Sequence, residues 1–313
     1  MKLSALGIQA IPARLAPLIG KASFRLVRIE GQDRETGSTL SAVYLGSGDN
    51  LEFLRSHFFR SSQWEEVASR GLPIITGGSI RRWWRDSHLQ LTDLPPLWRC
   101  FQRTDCDLVV PAWVAQKLVL PPLQHSERLW PLPRSLAREV ERHIRRSDYS
   151  LVITDQPAEF EAFYDDLYLP YIRARFGSSA VVVERNRFLA SAHGQHLALL
   201  RRSNAAVAGM LVKRRGSAMR FGWFGAATCP PPSGASEALD ALVLRQAWLD
   251  GVKTVHFGNS RPVVTNGVFR YKARFGAVPV ATRFPQARLG IGLPQSHAGV
   301  TAILAHHRLI VPA

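Results

Sequence analysis

Several kinds of residue are scarce in this chain, and each scarcity excludes something. There are three cysteines, Cys100, Cys106 and Cys229. They give neither a disulfide framework nor a paired CxxC ligand set, and they suit a reducing compartment. No apolar run reaches the length of about 18 residues that a membrane-spanning helix needs. The N-terminal apolar residues Leu3, Ile8, Ile11, Leu15, Leu18 and Ile19 are broken up by Pro12, Arg14 and Pro17, a poor core for a secretory signal. A soluble cytoplasmic protein is the expectation. No phosphate-binding loop, dinucleotide fingerprint or Gly-x-Ser-x-Gly nucleophile elbow is present. His193 and His196 flank a Gly-Gln pair without any cysteine or carboxylate cluster, so they read as a loop and no metal is expected. Acidic residues number 24 against 40 basic ones, a formal net charge of +16. Lysine is rarer still. It stands only at positions 2, 21, 117, 213, 253 and 272, and the other 34 basic residues are arginine.

What is present is a foldable chain. Its 313 residues are 46% hydrophobic, enough for one large domain or two modest ones and too apolar for a disordered chain. The charge excess suits a polyanion such as RNA, a phosphorylated cofactor or an anionic membrane surface; a solvated arginine-rich surface is the plainer reading.

Patterning places the elements. Residues 23–31 and 39–47 read as strands of a hairpin, and 49–59 as a helix capped by Asp49 or Asn50. The stretch 90–135 offers one short apolar run at 107–114. In 134–146, Leu136, Val140 and Ile144 share one helical face and Arg138, Arg142, Arg145 and Arg146 form a basic stripe. That stripe is either a phosphate-tracking face for nucleic acid or a surface whose charge Glu139 and Glu141 partly balance. A strand at 149–155 precedes an aromatic helix, with Phe160, Phe163, Tyr164, Leu167, Tyr168 and Tyr171 on one face and Pro170 set to kink or divide it. Strands follow at 196–203, 205–215 and 218–227. Then come a helix at about 236–250 capped by Ser236, a strand at 253–258, a short helix at 267–276 and a last strand at 277–284. Helices flanking a mixed, mainly antiparallel sheet with one strand–helix–strand crossover make an α+β fold.

The segments "FYDDLYLPYIRARFG", "AVAGMLV" with "RFGWFGA", and "HFGNSRPVVTNGVFRYKARFGA" resemble the GNAT acyltransferase superfamily, in its FemAB-like branch, over about residues 150–285. The last segment carries a strand ending in Phe-Gly, a Ser-Arg-Pro turn, and Gly-Val-aromatic followed by Lys-x-x-aromatic-Gly. The resemblance implies a GNAT-like sheet flanked by helices at 134–290, a C-terminal extension at 291–313, and an α/β region at 1–133 that would be a reduced GNAT-like half. It implies an N-acyltransferase that moves an acyl or aminoacyl group from acyl-CoA or aminoacyl-tRNA to an amine, with the donor a co-substrate and no tightly bound cofactor. The chain departs from the superfamily where "ATCPPPSGASEALD" replaces the usual pyrophosphate turn. Three prolines lack amide protons, and Glu237 stands where an anion would rest. Relatives often have Asp where His256 stands, so no role carries over to it.

The candidate site follows. Lys272 is the candidate catalytic group, a compact ammonium for the tetrahedral oxyanion of acyl transfer. The rival reading is a surface lysine, or one lying over Tyr271 and Phe269. Asn259, Ser260 and Arg261 are substrate-binding candidates or a structural turn. Tyr171, Arg175, Tyr271 and Trp223 are candidates for a substrate groove, with core packing the rival reading for the aromatic ones. A non-catalytic RNA- or anionic-surface-binding module is the alternative function.

Overall fold

A computed structural model describes residues 24–48, 50–70, 86–94, 107–123, 130–177, 180, 182–280, 287–292 and 305–309. Cys100, Cys106 and the N-terminal apolar stretch lie outside them. The fold is mixed α+β, two mainly antiparallel sheets flanked by helices. The chain divides into two compact units. The first comprises Met1–Val114, Ser260–Phe269 and Ala281–Ala313, and the second Ala115–Asn259 and Arg270–Val280. The sequence reading puts borders at 133/134 and 290/291; the units change at 114/115, 259/260, 269/270 and 280/281.

In the first unit, β1 (Phe24–Asp33) and β2 (Thr39–Gly46) form the expected hairpin, with Arg25 opposite Gly46 and Gln32 opposite Thr39. β3 (Phe59–Arg70) pairs antiparallel with β1. It escapes sequence reading because it is an edge strand whose residues from Gln63 to Val67 are all exposed, which erases the period-two pattern. β4 (Leu89–Leu94), β5 (Leu108–Pro111) and β13 (Arg288–Gly292) complete a sheet ordered β3-β1-β2-β4-β13-β5. Helix α1 (Leu51–Phe58) lays Leu51, Leu54 and Phe58 against Val27, Ile29, Tyr44 and Leu91. Asn50 occupies the N-cap position, but its side chain makes no capping bond. It donates instead to Asp93 Oδ1, at 2.9 Å.

The second unit holds β6 (Val114–Val119), β7 (Tyr149–Thr154), β8 (His196–Arg202), β9 (Ala205–Arg215), β10 (Ala218–Ala226), β11 (Thr254–Ser260) and β12 (Val278–Val280), in the order β12-β6-β11-β10-β9-β8-β7. Of the strand expected at 277–284, Val278–Val280 is β12; residues 281–284 lie outside the described ones. β10 and β11 run parallel, joined by helix α6 (Ala235–Leu249), the expected crossover. Helix α2 (Arg134–Ser147) and α6 cover one face of the sheet. The other is covered by an aromatic layer from α3 (Pro157–Ala162), a π-helix (Phe163–Tyr168), α4 (Leu169–Phe176) and α5 (Arg185–Ala192). Pro170 falls in the first turn of α4, directly after the π-turn. The chain absorbs the missing amide by widening the helix rather than breaking it.

Two glycines seat that aromatic layer. Gly209 and Gly225 face each other across β9 and β10. A Cβ on Gly209 would come within 2.8 Å of the Phe163 ring, and one on Gly225 within 2.7 Å of the Leu167–Tyr168 backbone. Helix α6 starts at Ala235 behind Gly234, so Ser236 is not its cap. The ring of His143 would lie 2.2 Å from a Cβ at Gly234, and only glycine fits at that left-handed position.

Candidate functional site

Three elements of the second unit converge on one buried group of ionisable side chains: α6, the end of β11, and α7 (Gly267–Arg274), whose last turns belong to this unit. Helix α6 buries Leu239, Val243, Leu244 and Ala247, and in that apolar stripe it also carries Asp240, itself buried. On α7, Tyr271 and Lys272 are consecutive. The Tyr271 hydroxyl donates to Asp240 Oδ2 at 2.8 Å. Lys272 is 8% exposed, and its Nζ donates to the Asn259 carbonyl at 2.7 Å. The surface reading of Lys272 is therefore excluded. An ammonium has three donors, and among the described residues one of them is bonded, to the Asn259 carbonyl.

Burial sets the electrostatics. It pushes the Asp240 carboxyl up to about 7, with Glu237 adding repulsion and the Tyr271 hydrogen bond and Lys272 pulling the other way. It brings Lys272 down to about 8, opposed by the Asp240 charge. Tyr271 is held well above its ordinary value by burial and by the carboxylates of Asp240 and Glu237. An acid and an amine thus both titrate close to neutral pH, a feature that clusters at functional sites. On the outer side, Arg274 makes two hydrogen bonds to Glu139, at 2.9 and 3.0 Å, and sits 3.6 Å from Glu237. Sequence reading gave Asp240 only a place in a helix. The available signal was a carboxylate at a position of the helical stripe shared by Val243, Leu244 and Ala247.

The other candidates lie elsewhere. Tyr171 packs edge-on against Phe224 at 5.3 Å in the core beneath α6, and its hydroxyl accepts from Arg175. Trp223 stacks on Phe188 at 5.1 Å in the aromatic layer. Asn259 is exposed and enters the site through its carbonyl, whereas Ser260 is buried in the first unit. Arg261, also in the first unit, is sandwiched between Trp113 and Phe53, 3.9 and 4.4 Å from their ring centres, and donates to Asn50 Oδ1 at 2.6 Å. Asn50 leads to the buried Asp93, which also accepts from Tyr44 and Ser47. These ties make Arg261 a clamp within the first unit.

On α2, Arg138, Arg142, Arg145 and Arg146 are all exposed. Among the described residues, Glu139 and Glu141 form their hydrogen bonds with partners outside this stripe. Glu139 is taken by Arg274, and Glu141 accepts the Trp130 indole at 2.7 Å. Among the described residues no group of His, Cys, Asp and Glu is arranged to hold a metal ion. Nor is any helix among them long and apolar enough to cross a membrane.

No family profile matches the chain, and no curated protein matches it. Solved structures do. L-PGS from Bacillus licheniformis is 11% identical with a TM-score of 0.43, over 89% of this chain and 88% of that one. The C-terminal domain of a putative lysylphosphatidylglycerol synthetase from Agrobacterium fabrum is 9% identical with a TM-score of 0.41, over 96% and 93%. A GCN5-related N-acetyltransferase from Sphaerobacter thermophilus is 12% identical with a TM-score of 0.37, over 80% and 71%. The roles considered for this chain rest on its own geometry.

Proposed function

We propose that the chain is an N-acyltransferase of GNAT type and FemAB-like branch, with its reaction centred on Lys272. The observation that carries this reading is a lysine withdrawn from solvent on the helix of the Gly-Val-aromatic and Lys-x-x-aromatic-Gly motif, anchored to the Asn259 carbonyl and set beside a buried carboxylate. Attack of an amine on an activated acyl carbon forms a tetrahedral oxyanion, and a fixed cation near that oxygen lowers the barrier. Among the described residues Lys272 keeps donors for the oxyanion, and the anchor fixes their origin. The attacking nitrogen must shed a proton. The Tyr271 hydroxyl takes it while passing its own proton to Asp240 Oδ2, the group whose affinity lies near neutral. Collapse of the intermediate expels the donor's leaving group. Acyl transfer then proceeds directly, without a nucleophile on the protein.

The donor is a co-substrate, acyl-CoA or aminoacyl-tRNA. Pro230–Pro232 offer no amide to a pyrophosphate, which favours the tRNA-linked donor, and the exposed arginines of α2 offer charge to its backbone. Lys272→Met tests the reading. The expected outcome is a fall in turnover of roughly 10²–10³ on donor and amine with the fold intact, and only partial recovery in Lys272→Arg, whose planar guanidinium cannot occupy the same point. A rise in the Michaelis constant at unchanged turnover would make Lys272 a phosphate ligand instead. Unaltered kinetics would remove it from the reaction.

A further inference from the structure

The second sheet carries a row of basic side chains that acyl transfer does not use. Arg220 on β10 lies opposite His256 on β11 and opposite Lys213 on β9. Lys117 lies on β6, the next strand beyond β11. Partners in register point to the same face of a sheet. The alternate residues Leu118, Val212, Met219 and Val255 go into the core beneath α6, so the row faces the opposite way. Neighbouring strands are about 4.8 Å apart, which spreads the four side chains over roughly 14 Å. Arg220 is exposed and the other three are half-buried. Among the described residues none of the four makes a hydrogen bond or ion pair. His256 is held below its ordinary value by burial and then by the charges of Lys117 and Arg220, which places both cations close to it.

The same face is apolar at its β12 end. Val119 follows Lys117 by two residues, and Val278 sits directly opposite Lys117. At 64% and 54% exposure they are the two most exposed large aliphatic side chains among the described residues. A nucleic-acid strand is held by phosphate contacts together with stacking on open aromatic rings. On β10, Phe221 beside Arg220 is buried in the core, and Trp223 is already stacked on Phe188. Unpaired cations beside bare aliphatics suit an interface of anionic headgroups and acyl chains.

We propose that this face of the second unit, with Lys213, Arg220 and Lys117 as its charged row around a neutral His256 and Val119 and Val278 as its apolar edge, docks on an anionic lipid surface. The proposal stands independently of the acyl-transfer reading. Its test is co-sedimentation of the full chain with vesicles of phosphatidylcholine alone or mixed with phosphatidylglycerol. Binding to the mixed vesicles alone is expected, weakening as salt rises. The double variant Lys117→Gln/Arg220→Gln should lose roughly fivefold in partition for each charge removed. Val119→Ser/Val278→Ser should weaken binding with every charge kept. Arg60→Gln, an exposed arginine of the first unit, should change nothing. These sites are solvent-reaching, and circular dichroism verifies that the variants fold. Failure of the wild-type chain to bind mixed vesicles at low salt overturns the proposal, as does equal binding by the charge variant. Unchanged partition of the valine variant overturns the lipid assignment. So does a single-stranded RNA homopolymer that binds through the row when vesicles do not.

Discussion

In the first unit the Asp33 carboxylate lies at the end of β1 with its side chain fully buried. It accepts from His307 Nε2 at 2.8 Å, from the Thr36 amide and hydroxyl at 2.6 and 2.8 Å, and from the Glu35 amide at 3.1 Å. In the second unit Asp240 is also buried, yet among the described residues the Tyr271 hydroxyl is the donor that meets it. Burial pushes both upward. At Asp33 the hydrogen bonds from His307 and Thr36 outweigh it and the net shift is down, whereas at Asp240 burial wins and the carboxyl reaches about 7. The same side chain stays ionised where donors saturate it and titrates near neutral pH where they do not.

That contrast can be broken from either side. The largest effect is expected in the first unit. Asp33→Ala strips several donors of their buried acceptor and should cost about 3 kcal/mol or more of unfolding free energy in a urea titration. It should leave the rate of the folded fraction unchanged. Lost activity without lost stability would make Asp33 more than a strut.

The second prediction concerns pH. Asp240 has a folded value raised above its unfolded one, so the native state binds the extra proton between about 4 and 7, and stability from this group falls as pH rises through that range. Lys272 is the reverse case. Its folded value of about 8 lies below the ordinary 10.5, so its contribution rises as pH climbs from 8 toward 10.5. Between 7 and 8 both are charged and buried, and the joint contribution is lowest. Asp240→Asn should flatten the acid-side slope and Lys272→Met the alkaline one, measured by denaturant melts across pH. A profile untouched by both substitutions would sink the assignment.

The smallest effect sharpens the role of Arg261. Arg261→Lys loses the planar stack between Trp113 and Phe53 and should cost about 1 kcal/mol of stability, with kinetic constants unchanged. A higher Michaelis constant at full stability would return Arg261 to substrate binding.

Much of this was legible in the sequence, for physical reasons. Helices with a clean apolar stripe, such as Arg134–Ser147, and short turns between alternating strands, such as β8 to β10, announce themselves because burial imposes a period. Lys272 stood out by its rarity and its motif. Asp240 did not, because a carboxylate on a helix reads as surface until the tertiary fold shows what covers it. The Arg261 clamp was hidden too. Its partners Asn50 and Ala112 stand 211 and 149 residues away, and no local pattern encodes such a pairing. β3 was lost to its polar edge, and Ser236 to a close approach by His143.

The position of β13 has a consequence for biosynthesis. It is the last strand among the described residues, yet it lies inside the first sheet, pairing with β4 through Leu289 and Asp93 and with β5 through Leu289 and Val110. A ribosome delivers β4 and β5 well before the strand that joins them. Until residue 292 has emerged, the first unit has two open sheet edges where the mature protein has a continuous ladder, and such edges invite pairing with foreign chains. The N-terminal half therefore completes its fold after the second unit's own strands have been made, and a nascent chain arrested before β13 should be retained by chaperones.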